Sequence, residues 1–153
     1  MRAIIQSAYL LRRIVLRVLR LRTTGVKVML FNEADELLLI RNAYGDSGQY
    51  LLPGGGVSRR ESPAAAAIRE VREEIGIELD RVEPVWTYKS NSEGKRDTIH
   101  LFKAKTSARP EIDGREVIEA RFFALGALPS RVSPATLRRI KEISGERPID
   151  GRW

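Results

Sequence analysis

The chain contains no cysteine. Disulfide staples, thiolate nucleophiles and cysteine-ligated zinc are therefore excluded. A reducing compartment suits such a chain, and a cytoplasmic location is the expectation. Histidine is nearly absent as well. His100 is the sole copy, which removes multi-histidine metal sites while leaving a Ser-His-Asp triad open by count alone. Nor is there a long hydrophobic run. The longest apolar stretch near the start, Ala3 to Leu11, is interrupted by Gln6 and Ser7. It falls well short of the ~20 residues that a spanning helix needs. Arg12 and Arg13 then break any signal-peptide hydrophobic region, and no small-residue cleavage site follows.

Acid is missing from one region only. Residues 1–22 hold Arg2, Arg12, Arg13, Arg17, Arg20 and Arg22 and no Asp or Glu, whereas the whole chain has 27 basic and 20 acidic residues. Nearly all of the net charge of +7 thus belongs to this one end. A high pI arising this way is weak support for a nucleic-acid-binding domain, and no DNA partner is expected. On a helical wheel Arg2, Arg13, Arg17 and Arg20 share a face, and Leu10, Ile14, Leu16, Val18 and Leu21 lie mostly off it. A basic amphipathic helix is the expectation, packed on the domain or on a partner subunit. A weak contact with an anionic membrane surface is a second reading, and an Arg-rich presequence a third.

What is present argues for a folded enzyme-sized unit. The chain has 153 residues, with 42% hydrophobic and 31% charged content. That mix suits one compact globular domain, expected over residues 23–153 after the basic segment 1–22. Val26, Val28 and Leu30 alternate against Lys27 and Met29, which predicts a strand from about Thr24 to Phe31. Leu37 to Ile40 reads as the returning strand after a turn at Asn32 to Asp35. Val82 to Tyr88, Thr98 to Ala104 and Val117 to Leu125 read as further strands, with a turn at Asn91 to Gly94. Ser62-Pro63 opens a helix that runs through four alanines to Ile75 and stops at Gly76. Ser133-Pro134 opens a second, to about Ile143. Strands and helices mix without strict βαβ repetition, which suggests a sheet covered by helices.

The chemistry lies in one spacing. It reads Gly55, five residues, Glu61, seven residues, Arg69-Glu70-Val71, one residue, Glu73-Glu74, one residue, Gly76-Ile77. Seven of these positions demand a single Gly or charged type and two demand an apolar residue. At average composition the chance of such a match is roughly 3 × 10⁻¹⁰ per starting position, so coincidence does not explain it. Glu70, Glu73 and Glu74 are related by three and four residues and share a helical face. Like charges placed so repel, and a cation offsets the cost. Clustered carboxylates are hard ligands suited to Mg²⁺ or Mn²⁺. Mg²⁺ completes its shell with waters and substrate phosphates, and can polarise phosphorus and activate a water. Nothing in this set suits an acyl nucleophile. Ile68, Val71 and Ile75 are expected to face the core. The small side chains of Ala66 and Ala67 are expected to leave room for metal and phosphate. Arg69 precedes Glu73 by four residues and can hold that carboxylate or meet a phosphate. Gly54, Gly55 and Gly56 allow a sharp turn and a close backbone approach.

These residues, with the Leu52-Pro53-Gly54-Gly55 lead-in, match the Nudix box at every fixed position, and the chain resembles the Nudix (MutT-like) hydrolase family from about Gly25 to Leu128. The resemblance implies an α/β fold, an α/β/α sandwich with a mixed sheet, here preceded by the basic amphipathic helix. It implies that Glu70, Glu73 and Glu74 ligate the metal, with the Gly54 carbonyl as a further ligand. Glu61 would support them and Arg69 would orient them. The implied reaction is attack of water on one phosphorus of a nucleoside diphosphate linked to another group, in a nucleoside triphosphate or a nucleotide sugar such as ADP-ribose. Members often use one more acid from outside the box, and Glu116 and Glu119 are the candidates. Tyr50 stands where many relatives carry Trp. Tyr44, Trp86 and Tyr88 are candidate base-stacking residues, with packing as the ordinary alternative. Arg41 and Lys89 are candidate phosphate contacts, with solvation as the alternative. His100 reads as structural. The implied partner is a nucleotide-like small molecule, and a homodimer is a further expectation. A nucleotide-holding sensor without turnover is the competing reading. An RNA-end or membrane-associated enzyme using the first helix is another.

Overall fold

The structure, a computed structural model, describes residues 23–46, 48–90 and 97–153. Five strands form one sheet: β1 (Thr23–Phe31), β2 (Leu37–Asn42), β3 (Glu83–Ser90), β4 (Asp97–Lys105) and β5 (Val117–Phe123). Their order is β3-β4-β1-β2-β5. β1 runs parallel to β4, whereas the β1–β2, β2–β5 and β3–β4 pairs are antiparallel. The sheet is therefore mixed. Helices α1 (Pro63–Ile75) and α2 (Pro134–Ile143) cover its two faces.

Strand periodicity explains how one sheet serves two cores, because alternate side chains point to opposite faces. Val26, Val28, Leu30, Leu38 and Ile40 pack with Ala66, Ala67, Val71 and Ile75 of α1. Met29, Leu37, Leu39 and Leu101 pack on the other side with Val132 and Ile140. The central strands are thus apolar on both faces, which is why Met29 and Leu37 to Ile40 are all fully buried. Both helices begin as read from the sequence. Ser62 and Ser133 cap them by accepting from the amides of Ala65 and Thr136, each with proline at the next position. Gly76 closes α1 in the left-handed region, at φ 68°.

Two details of α1 differ from the sequence expectation. Ala66 and Ala67 are fully buried in the core and do not line an open site. Their small size lets the helix lie close to the sheet. Ile68 is only partly buried, and the inward stripe is Ala66, Ala67, Val71 and Ile75, flanked by the partly buried Ala64. The basic helix expected over residues 1–22 and the turn expected at residues 91–94 lie outside the described residues. Among the described residues no helix is long and apolar enough to cross a membrane.

The C-terminal residues complete the edge of the sheet. Lys89 of β3 donates to the Gly151 carbonyl and its own carbonyl accepts from Trp153. Arg139 of α2 is fully buried between the Tyr88 and Trp153 rings. It donates to the Arg152 carbonyl and to Glu142.

Candidate active site

The loop from Leu52 to Gly55 lies along β1, and each of its four carbonyls is taken by that strand. Pro53 and Gly55 accept from the backbone amides of Val28 and Val26. Leu52 and Gly54 accept from Lys27 Nζ, at 2.9 and 3.1 Å. The approach is so close that a Cβ on Gly54, at φ +136°, would lie 2.2 Å from the Val26 carbonyl oxygen. Only glycine takes that conformation without strain.

This loop feeds into α1 with its acids. Gly54 N–H donates to Glu74 Oε2 at 2.8 Å. A Cβ on Gly55 would fall 2.5 Å from a Glu70 carboxylate oxygen, so the missing side chain is the cradle in which Glu70 sits. Arg69 ties the rest together. It grips Glu61 with Nε and Nη2 at 2.8 and 3.0 Å, and Nη1 reaches Glu70 at 2.8 Å and Glu73 at 3.0 Å. Nη2 also donates to the Gly56 carbonyl. Five N–H groups make five bonds, a use of the planar fork that lysine cannot reproduce. Glu61 in turn accepts from the Ser58 amide.

The acids differ electrostatically although they are neighbours. Hydrogen bonds from Arg69 and the Ser58 amide hold Glu61 down at about 2. Burial pushes Glu74 up to about 7, against the pull of Lys27 and the Gly54 amide and with help from Glu70 and Glu116. Burial also raises Glu70, opposed by Arg69. The Glu73 side chain is 54% exposed and turned to Arg69. Burial lowers Lys27, while Glu74 and Glu70 act to raise it. Among the described residues no three acidic or histidine side chains converge tightly enough to hold an ion in this arrangement. Lys27 and Arg69 are the counter-charges. The donor set itself, hard carboxylate and carbonyl oxygens beside a glycine cradle, matches Mg²⁺ or Mn²⁺.

The two acids outside the box separate clearly. Glu119 pairs across the sheet with Arg41. Arg41 Nε and Nη2 both reach Glu119 Oε2, at 2.8 and 2.7 Å, and Tyr50 donates to Oε1 at 2.9 Å. Burial pushes Glu119 up, but the Tyr50 hydroxyl and the Arg41 guanidinium outweigh it and hold the carboxyl below its ordinary range. Glu116, one residue before β5, is exposed and lies in the field of Glu74. Arg41 is therefore a partner of Glu119. Tyr50 is the other, through its hydroxyl.

The aromatic candidates also divide. Tyr88 is fully buried, donates to Glu142 at 2.6 Å and carries Arg139 over its ring at 4.0 Å. Arg139 lies over one ring face and the side chain is fully buried, which is the packing role that stood as the ordinary alternative to base stacking. Trp86 is half exposed on edge strand β3, and Tyr44 is partly buried in the β2 loop. His100 meets Thr87 at 3.0 Å, a structural pairing within the sheet. Lys89 Nζ donates to Thr98.

Sequence reasoning missed Lys27. One signal was available: a charged residue in a strand that is apolar on both faces must find polar partners.

The model of the NUDIX domain matches residues 21–142. A Bacillus subtilis (strain 168) protein assigned as an 8-oxo-dGTP diphosphatase is 31% identical over 121 residues, covering 78% of each chain. A MutT-like protein of Streptomyces ambofaciens is 36% identical over 129 residues, covering 84% of this chain and 81% of its own. The crystal structure of a MutT NUDIX hydrolase from Burkholderia pseudomallei superposes with TM-score 0.71 at 24% identity, over 80% of this chain and 98% of that one. This last likeness is one of fold.

Proposed function

This chain belongs to the NUDIX family, and from that membership we propose that it is a Mg²⁺-dependent hydrolase, with Mn²⁺ as substitute, that cleaves the diphosphate bond of a nucleoside diphosphate linked to another group. The observation that carries the reading is the Arg69 hub, which holds Glu61, Glu70 and Glu73 while Gly54 holds Glu74. Such preorganisation is what a metal-assisted phosphoryl reaction requires of its protein. Glu70, Glu73, Glu74 and the Gly54 carbonyl would hold the ion. When bound, it supplies charge stabilisation at phosphorus and a more acidic water.

The remaining work falls to the chain. Arg69 and Glu61 fix the carboxylates. Glu116 is the proton acceptor that the geometry favours, because both oxygens of Glu119 are already bonded. A rate rising toward alkaline pH fits a site where Glu74 must be ionised. Nucleoside triphosphates come first as substrates, supported by the Bacillus relative, with nucleotide sugars such as ADP-ribose next. The test is product release from a panel of triphosphates, nucleotide sugars and dinucleotides with Mg²⁺, for wild type and Glu73→Gln. Turnover of one class, abolished in the variant, is expected. Tight nucleotide binding with no turnover of any class would make the protein a sensor instead.

A further inference from the structure

We propose that Lys27 is a positioning residue for the metal site: its ammonium holds the Leu52 and Gly54 carbonyls so that Gly54 can present both a carbonyl to a divalent ion and an N–H to Glu74. The inference rests on the reading of the site given above and adds a residue that lies outside the box, on β1.

The geometry is specific. Carbonyls along an extended segment alternate in direction. Those of Pro53 and Gly55 turn toward the β1 backbone, where Val28 and Val26 amides meet them. Those of Leu52 and Gly54 have no β1 amide, and the Lys27 side chain reaches both. A carbonyl oxygen has two lone pairs, so one bond to the ammonium fixes the plane of the Gly54–Gly55 peptide and leaves a second direction open. The peptide between the two that Lys27 holds has its Pro53 carbonyl bound by the Val28 amide and directs its Gly54 N–H to Glu74. One side chain thereby orients a ligand carbonyl directly and clamps the peptides on both sides of the one that meets the Glu74 carboxylate.

A rival role makes the opposite forecast. Were Lys27 only a counter-charge to Glu70 and Glu74, its removal would leave the site more negative and tighten divalent binding. As a positioning residue its removal weakens binding, by about 10–100-fold as for other groups that orient ligands from behind.

The absence of cysteine makes a clean experiment available. Lys27→Cys would carry the chain's sole thiol. Alkylated with 2-bromoethylamine in denaturant and refolded, it restores an ammonium at lysine length; alkylated with 1-bromopropane, it gives a neutral chain of the same reach. Mn²⁺ affinity is then read by electron paramagnetic resonance, and folding by near-ultraviolet circular dichroism. The expected result is wild-type affinity for the aminoethyl form and the stated loss for the propyl form. Equal or tighter binding by the propyl form overturns the inference. Failure of the wild type itself to bind Mn²⁺ overturns the metal reading and this inference with it. Should the propyl form not fold, the wild type still decides. The side-chain ammonium ¹H–¹⁵N signal of Lys27 should be protected from water exchange and stay so when Mg²⁺ is added. Loss of that protection on Mg²⁺ binding would mean that the ammonium is displaced, and the inference fails.

Discussion

Gly54 and Gly55 are neighbours that should behave as opposites when changed to alanine. At Gly54 the backbone sits at φ +136°, and the new Cβ would meet the Val26 carbonyl oxygen at 2.2 Å and Lys27 Cα at 2.9 Å. The strained dihedral alone costs of order 1–3 kcal/mol. The obstructing atoms are backbone, so relief requires the loop to leave β1 and give up the Val26–Gly55 and Val28–Pro53 hydrogen bonds, at about 1 kcal/mol each. The expected loss for Gly54→Ala is about 3–5 kcal/mol, a large part of the 5–15 kcal/mol by which domains are usually stable. At Gly55 the Cβ meets only the carboxylate end of Glu70, at 2.5–2.6 Å. A side-chain terminus can swing away, and alanine also reduces the freedom of the unfolded chain by about 0.4–1 kcal/mol. Gly55→Ala should therefore change stability by less than about 1 kcal/mol while pushing Glu70 from its cradle. Since ligands must be held to within about 0.5 Å, we expect divalent affinity and kcat/KM to fall by about tenfold or more. Urea unfolding with matched m-values measures the first quantity, and Mn²⁺ titration with steady-state kinetics the second. If Gly54→Ala costs under about 1 kcal/mol, or Gly55→Ala unfolds the protein, the account of this loop is wrong.

Four further outcomes are expected. Glu74 titrates at about 7 in the folded, metal-free protein against an ordinary 4.5. A raised carboxyl favours the folded state at low pH, so stability should decline between about pH 4.5 and 7 by on the order of 3 kcal/mol, with a flatter profile in Glu74→Gln by pH-dependent chemical denaturation. Mn²⁺ competes with that proton, so apparent affinity should climb up to about tenfold per pH unit below 7 and level off above it. Glu116→Gln should lower kcat by about 10²-fold or more, whereas Glu119→Gln should act mainly on stability through Arg41 and Tyr50; the reverse ranking in steady-state kinetics would exchange their roles. Tyr88→Phe removes the hydroxyl bonded to Glu142 and should cost about 1–3 kcal/mol in thermal unfolding, while a changed KM would show that the ring does reach substrate.

The sequence made the framework readable where local rules act alone. Ser62-Pro63, Ser133-Pro134 and Gly76 marked helix ends through capping, which depends on a few adjacent residues. Alternation in β1, and short apolar or β-prone runs elsewhere, located all five strands to within a residue or two. The line of Glu70, Glu73 and Glu74 followed from helical spacing. What escaped depends on contacts between distant segments. Lys27 and Gly54 are far apart in sequence, and nothing local says that they touch. For Tyr88, stacking and packing could not be separated, because its partners Glu142, Arg139 and Trp153 come late in the chain. Ala66 and Ala67 were assigned to the space beside the acids because their burial depends on β1 and β2 side chains, Val26, Val28, Leu38 and Ile40, that lie far away in sequence. Glu116 and Glu119 could not be ranked until Arg41 and Tyr50 were seen to occupy one of them.

The C-terminal residues also bear on how this protein behaves at high concentration. β3 is an edge strand, and unpaired amides and carbonyls on such an edge invite pairing with a second molecule. Here Pro84 removes one donor near the start of the strand, and the ladder is irregular between Pro84 and Trp86. At the other end Gly151 and Trp153 occupy the Lys89 amide and carbonyl. The middle of the edge carries Trp86, the exposed aromatic that would reward mis-pairing. Removal of residues 150–153 would uncover the Lys89 end, unseat Arg139 and leave a longer open edge around that tryptophan. The same four residues that close a core therefore also guard against edge-to-edge aggregation.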